Sequence, residues 1–189
     1  MANFTVVYDA CVLYPAPLRD FLMWLAVTDL FKARWTNDIH SEWISNVLKN
    51  RPDLSLSQLT KTKDLMNANV RDWIVTGYQE IISGLSLPDL KDRHVLAAAI
   101  RCNADVILTF NLKDFPDRYL VEYGVEAQHP DEFILHVIDL NSVIVCQAAK
   151  QHRNSLKKPP KTREQYLDTL LNQGLYKTNI ALRKFCYEF

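Results

Sequence analysis

Residues 87–116, LPDLKDRHVLAAAIRCNADVILTFNLKDFP, restrict the possible folds more than any other stretch. They run through an acidic turn, a helix, a strand and a second acidic turn. Asp89 and Asp92 stand just before or at the start of HVLAAAIRC, whose alanines and aliphatic residues favour helix. Asn103 and Ala104 end that helix. DVILTF then reads as a short apolar strand, the kind buried on both faces of a parallel sheet. Asn111 and Asp114 follow directly in NLKDFP, where Pro116 stops further pairing. Open parallel sheets collect ligands outside the carboxyl ends of their strands, and that is where this sequence puts carboxylates.

The remaining chain supplies elements of the same type. FTVVY, residues 4–8, is a strand that delivers Asp9 at its carboxyl end. DACVLYPAP is the turn after it, and Pro17 suits the first turn of the helix PLRDFLMWLAVTDLF. There Leu18, Phe21, Leu22, Leu25 and Val27 form an apolar stripe, with Arg19 and Asp20 outside it. ARW reads as a second short strand. Asn37 or Asp38 caps DIHSEWISNVLKN, in which Ile39, Trp43, Val47 and Leu48 face inward, and Glu42 sits at the edge of that face or points into a cleft. Asp53 or Ser55 starts a longer helix reaching about residue 72, its buried side carried by Leu59, Met66, Val70 and Trp73. RYLVEYGVEAQ holds a last strand at a sheet edge. Pro130 opens a helical region with a break near Asn141, Thr162 and Gln165 make a capping box, and Gly174 separates two final helices. Strands alternating with helices predict an α/β fold, a three-layer α/β/α sandwich on a central parallel sheet with right-handed crossovers. The expected organisation is a domain over residues 1–130 and a C-terminal helical segment over 131–189.

Composition excludes several classes. With 48% hydrophobic and 23% charged residues in 189, the chain is globular and not disordered. No apolar run approaches the roughly 20 residues of a membrane span, and the N-terminus has no signal-peptide pattern. The four cysteines are scattered without a CxxC pair, which argues against zinc or a disulfide framework and for a reducing cytoplasm. The four glycines are dispersed as well, which excludes a P-loop or dinucleotide fingerprint. Net charge is zero, yet residues 1–149 carry −6 and residues 150–189 carry +6. A basic tail on an acidic body suits a phosphate-bearing partner or a tail that packs on the body.

If the strands before Asp9 and before Asn111 are neighbours, Asp9, Glu42, Asp92 and Asp114 gather above the sheet. Carboxylates this close cannot all ionise without a cation. Mg²⁺ or Mn²⁺ takes oxygen ligands and binds through a few carboxylates, waters and substrate phosphate. The expected chemistry is metal-assisted attack of water on phosphorus, with no protein nucleophile. Plainer roles exist for each acid: a helix cap for Asp92, a solvated helix position for Glu42, a turn bonded to its own backbone for Asp114. A phosphotransfer enzyme with Asp9 as nucleophile would need a second Asp at the position of Cys11.

FTVVYDACVLYPA, SEWISNVL and DLKDRHVLAAAIRCNADVILTFNLKDFP together resemble the PIN domain, the metal-dependent nuclease fold of VapC-type toxins. The resemblance covers about residues 1–130, and the tail from HPDEFILHVIDL onward resembles the C-terminal helical segment of the VapC50-like subgroup. It implies that Asp9, Glu42 and Asp92 are the three central metal-binding acids. The fourth acid of the family usually stands two residues after the threonine of the turn. Here Thr109 is followed at that spacing by Asn111, so Asp114 is assigned as the remaining acid, with Asn111 and Thr109 in support. The implied function is a divalent-metal-dependent endoribonuclease, the toxin of a type II toxin–antitoxin pair. Its implied partners are RNA, a cognate antitoxin protein and a second copy of the chain as homodimer. Arg93 and Lys113, with Arg118, flank the acids as candidates for RNA phosphates, and Lys157, Lys158, Lys161 and Arg163 extend the track. His94 is read as a packing or surface histidine. The alternative is a catalytically weak PIN-fold module that binds RNA or protein, which Asn111 favours.

Overall fold

A computed structural model describes residues 4–186. In chain order the elements are β1 (Thr5–Tyr8), α1 (Ala10–Leu13), α2 (Ala16–Ala26), β2 (Lys32–Arg34), α3 (Asn37–Asn50), α4 (Leu56–Asn69) and α5 (Gln79–Ile82). They continue with α6 (Arg93–Arg101), β3 (Val106–Leu108), α7 (Asp117–Leu120), β4 (Glu126–Gln128), α8 (Pro130–Leu140), α9 (Ser142–Ser155), α10 (Arg163–Leu171) and α11 (Tyr176–Phe185). Two compact units emerge. One joins the chain up to Tyr14 with Phe31–His129, and the other joins Pro15–Leu30 with the chain from Pro130 onward.

The first unit is an α/β sandwich on a four-stranded sheet of order β2-β1-β3-β4, every pair parallel. Val6, Val7 and Tyr8 on β1 and Val106, Ile107 and Leu108 on β3 are all buried. Successive strand residues point to opposite faces, so both faces of these central strands are covered, as the unbroken apolar runs predict. Tyr8 pairs with Leu108, and the Asp9 N–H extends the ladder by donating to the Leu108 carbonyl at 3.1 Å. Asp9 and Thr109 therefore leave the carboxyl ends of adjacent strands side by side.

An aromatic cluster closes the β2 side. Trp35 stacks on Tyr8 and Trp73 with ring centroids 5.9 and 5.7 Å apart. The Trp43 indole donates to His40 Nδ1 at 3.0 Å, and Asn67 Oδ1 lies 2.8 Å from His40 Nε2 and accepts from the Trp35 indole at 3.1 Å. Nδ1 must accept while Nε2 donates, so the network fixes a neutral imidazole. Burial drives the His40 pKa down to about 4, in keeping with that tautomer.

The second unit is helical. α2 packs with α9 and α10, and α8 packs with α9 and α11. His152 on α9 lies 3.0 Å from the Tyr166 hydroxyl on α10 and stacks on Phe21 of α2. Asp131 on α8 accepts from the backbone N–H groups of Lys177 and Thr178 at 2.8 Å each, capping the first turn of α11. Among the described residues no helix is long and apolar enough to cross a membrane.

Several expectations are corrected locally. DACVL is not an open turn but the one-turn helix α1. Arg19 is buried with the stripe of α2, while Val27 is 44% exposed; α2 ends at Ala26, so Val27 no longer follows helical spacing. Thr36, not Asn37 or Asp38, caps α3 by accepting from the Ile39 N–H at 3.1 Å. The helix expected to reach residue 72 stops at Asn69, and Trp73 instead accepts the Trp35 N–H through its carbonyl. Cys146 and Cys186 form a disulfide joining α9 to the end of α11, against the expectation of unpaired cysteines. Their sequence separation of 40 hides the pairing, and only helix packing brings the two Cα atoms to 5.4 Å.

Candidate metal centre

Asp9 directly follows β1 and immediately precedes α1. One of its oxygens, Oδ2, accepts from the Thr109 hydroxyl at 2.7 Å and from the Cys11 thiol at 3.0 Å. The Thr109 hydroxyl in turn accepts the Asn111 N–H at 3.0 Å, and Cys11 Sγ accepts the Phe110 N–H at 3.3 Å. Two turns from different strands are thus tied through a single carboxylate oxygen. Both of these side-chain donors go to Oδ2 and neither to Oδ1. Asp9 is buried, and burial together with the Glu42 charge raises its pKa despite these donors. Burial, then the charge of Asp9, pushes the Cys11 thiol far up, so it acts as a neutral donor and not as a nucleophile.

Asp92 stands at the junction of a 3₁₀ turn, Leu90–Asp92, and α6, yet its carboxylate makes no capping bond. That task falls to Asp89, which accepts from the Lys91 N–H at 2.8 Å. The plain reading of Asp92 as a helix cap therefore fails. Its pKa is pushed up to about 7 by burial and then by the charges of Asp9, Asp89, Asp114 and Glu42. The four acids singled out in the sequence are accordingly brought into one electrostatic neighbourhood, with Asp89 as a fifth.

Glu42 projects from the second turn of α3, half exposed, with Oε2 3.3 Å from His94 Nε2. His94 sits one residue into α6, and its Nδ1 is buried without a partner. Burial lowers the His94 pKa, but the bond to Glu42 and the charges of Glu42, Asp38 and Asp9 outweigh it, leaving a net rise. His94 thus belongs to the acidic neighbourhood, contrary to its reading as a packing histidine. Asp114 lies in a second 3₁₀ turn, Leu112–Asp114. Asn111 precedes that turn, is exposed and makes no side-chain cap.

Of the candidate phosphate contacts, Lys113 is exposed. Arg93 is half-buried, with Nε donating to the Leu90 carbonyl at 3.1 Å and a second, longer bond to the Leu85 carbonyl. Arg118 lies over the Tyr119 ring. None of these three cations is ion-paired with Asp9, Glu42, Asp92 or Asp114; the ionic contact in that set is His94 to Glu42.

A divalent cation fits this donor set. The groups are hard oxygen ligands, burial and then the neighbouring carboxylates push the Asp92 pKa up to about 7, and the basic contact in the set is His94 on Glu42. Among the described residues no three His, Cys, Asp or Glu side chains form a ready-made metal cage. Such a cage is not the habit of Mg²⁺, which keeps several waters and uses one or two carboxylates with substrate phosphates.

Comparison with known proteins adds two findings. Residues 130–184 match the family model of the VapC50 C-terminal domain. A protein of Mycobacterium tuberculosis named "Putative ribonuclease VapC50" is 41% identical over 97 residues, 51% of this chain and 57% of that protein. The match spans little more than half the length of that VapC relative. No solved structure matches the chain.

Sequence reasoning did not single out Cys11, Asp89 and His94 as site residues. Cys11 and His94 stand two residues beyond Asp9 and Asp92, and that spacing is a signal. What it does not reveal is the contact each makes with a segment about 100 or 50 residues away.

Proposed function

We propose that this chain is a VapC-type PIN protein, a divalent-metal-dependent endoribonuclease and the toxin of a type II toxin–antitoxin pair. The reading is carried by the cluster around Asp92, whose pKa is pushed up to about 7 by burial and then by the charges of Asp9, Asp89, Asp114 and Glu42. The printed name of the mycobacterial relative supports the ribonuclease class. Asp9 and Asp92, with Glu42 and Asp114, would hold Mg²⁺ or Mn²⁺. The bound ion would supply charge neutralisation at phosphorus and a more acidic water.

The chain's own residues have separable parts in this scheme. Thr109 and Cys11 hold Asp9 Oδ2 and so fix the orientation of a carboxylate that would hold the ion. His94 orients Glu42. Lys113 and Arg93 offer charge for the phosphates on either side of the scissile bond, Arg93 only if it leaves its carbonyl contacts. Hydrolysis adds water to phosphorus and breaks one P–O bond, the proton passing to the leaving oxygen. The proposed setting is the cytoplasm, with a homodimer and a cognate antitoxin as partners.

The test is incubation of antitoxin-free protein with total cellular RNA in Mn²⁺ or Mg²⁺ and then in EDTA, beside Asp92→Asn. Discrete cleavage requiring both metal and Asp92 is expected. Equal cleavage by parent and variant overturns the assignment. A PIN-fold binding module is favoured by one observation, the exposed amide Asn111 in place of an acid. Calorimetry separates the two readings, since a module of that kind need not take up Mn²⁺.

A further inference from the structure

The helical unit carries a stretch of charge that the site chemistry does not use. Residues 150–163 contain six cations, Lys150, Arg153, Lys157, Lys158, Lys161 and Arg163, and no acid. Elsewhere in the same unit the cations are largely neutralised by their neighbours. Lys177 pairs with Glu132, Arg183 with Glu164 and Asp168, and Arg163 itself with Glu164. Among the described residues Lys150, Arg153, Lys157, Lys158 and Lys161 have no such ion pair. Lys150, Lys157 and Lys158 are exposed.

The backbone that presents them is constrained at both ends. α9 ends at Ser155, whose hydroxyl donates to the His152 carbonyl at 2.7 Å, and His152 is fixed to Tyr166 across the base of the loop. On the far side Thr162 and Gln165 close a capping box at the start of α10. Pro159 and Pro160 lie between, and proline fixes its own φ. A cationic loop held this way loses little freedom when it meets an extended anion, which lowers the cost of binding. The loop sequence from Leu156 to Thr162 also has no aromatic ring on which bases could stack. Contacts would therefore go to phosphates and carry little sequence preference.

We propose that the α9–α10 loop and the adjoining end of α9 form a phosphate-backbone anchor for single-stranded RNA. The choice of RNA as the polyanion rests on the nuclease reading above; the cationic loop itself does not.

The experiment measures binding of a labelled single-stranded RNA oligonucleotide of mixed sequence by full-length protein in EDTA across a salt series. The parent is compared with Lys157→Gln/Lys158→Gln and with a control, Lys61→Gln, on the exposed side of α4. The slope of log affinity against log salt should shrink by about 0.7 for each single-strand phosphate that the protein no longer neutralises. That change is expected in the double variant and not in the control. A charge-reversed Lys157→Glu/Lys158→Glu protein should bind more weakly still, with an unchanged melting temperature. Equal slopes in the parent and the double variant overturn the proposal. Displacement of the RNA by polyglutamate at equal charge concentration also overturns it, in favour of an acidic protein partner. Cleavage by the parent in Mn²⁺ is read separately, so the nuclease reading can fail while the anchor stands, and the reverse.

Discussion

In the proposed metal site, Asp9 depends on groups that do no chemistry. Thr109 and Cys11 both donate to one of its oxygens, and each belongs to or contacts the β3 turn. Removing supporting hydrogen bonds of this kind typically costs roughly 10–100-fold in metal affinity or activity. Thr109→Val and Cys11→Ala should each lower Mn²⁺ affinity by about that factor in calorimetric titration, while Thr109→Ser stays near the parent. Asp9→Asn should lower RNA cleavage further than either, with a circular dichroism spectrum like that of the parent. The pH response follows from Asp92 and His94, whose pKa values are raised in the folded state. In metal-free protein the folded state keeps protons that the unfolded chain has already released, and that advantage disappears as pH rises through the folded values. His40 and His152 act oppositely, since burial lowers both to about 4 and their contribution is lost as pH falls from 6.5 toward that value. The melting temperature in EDTA should therefore fall as pH rises above 6.5 and through about 7. Mn²⁺ should flatten that fall and Asp92→Asn should reduce it; a parent whose melting temperature rises across this window would contradict the scheme.

Elements were more legible than contacts. Local signals set most helix ends: the Ser55–Gln58 and Thr162–Gln165 capping boxes are present in the structure, and Asn103 and Gly174 take positive φ where α6 and α10 end. Such signals act within one turn, so the sequence suffices. Periodicity failed where a charged residue was drawn inward, as at Arg19, because packing and not spacing decides its burial. The same holds for α9 and α10, whose connection depends on a buried pair from two helices. Tyr166→Phe removes the hydroxyl beside His152 and leaves a buried ring nitrogen without its partner, at a cost of about 1–3 kcal/mol. Chemical denaturation of the variant measures that cost.

At the scale of the molecule, the disulfide closes a long loop within the helical unit. Cys146 and Cys186 are 40 residues apart, and a cross-link over that length stabilises by roughly 4 kcal/mol on the chain-entropy account. Cys146→Ser/Cys186→Ser should lower denaturation stability by up to that amount. Thiol titration of the unfolded protein should count two free groups before reduction, Cys11 and Cys102, and four after it.

The sequence by itself determined the strands, the parallel α/β class and the four acids at turns and helix starts, because unbroken apolar runs, capping residues and strand-end carboxylates are encoded within a few positions of one another. The tertiary structure alone decided that α2 groups with the C-terminal helices, that Cys146 meets Cys186, and that His94 touches Glu42. Each of these depends on segments far apart in the chain, whose encounter is set by the burial of apolar faces and leaves no trace in local spacing.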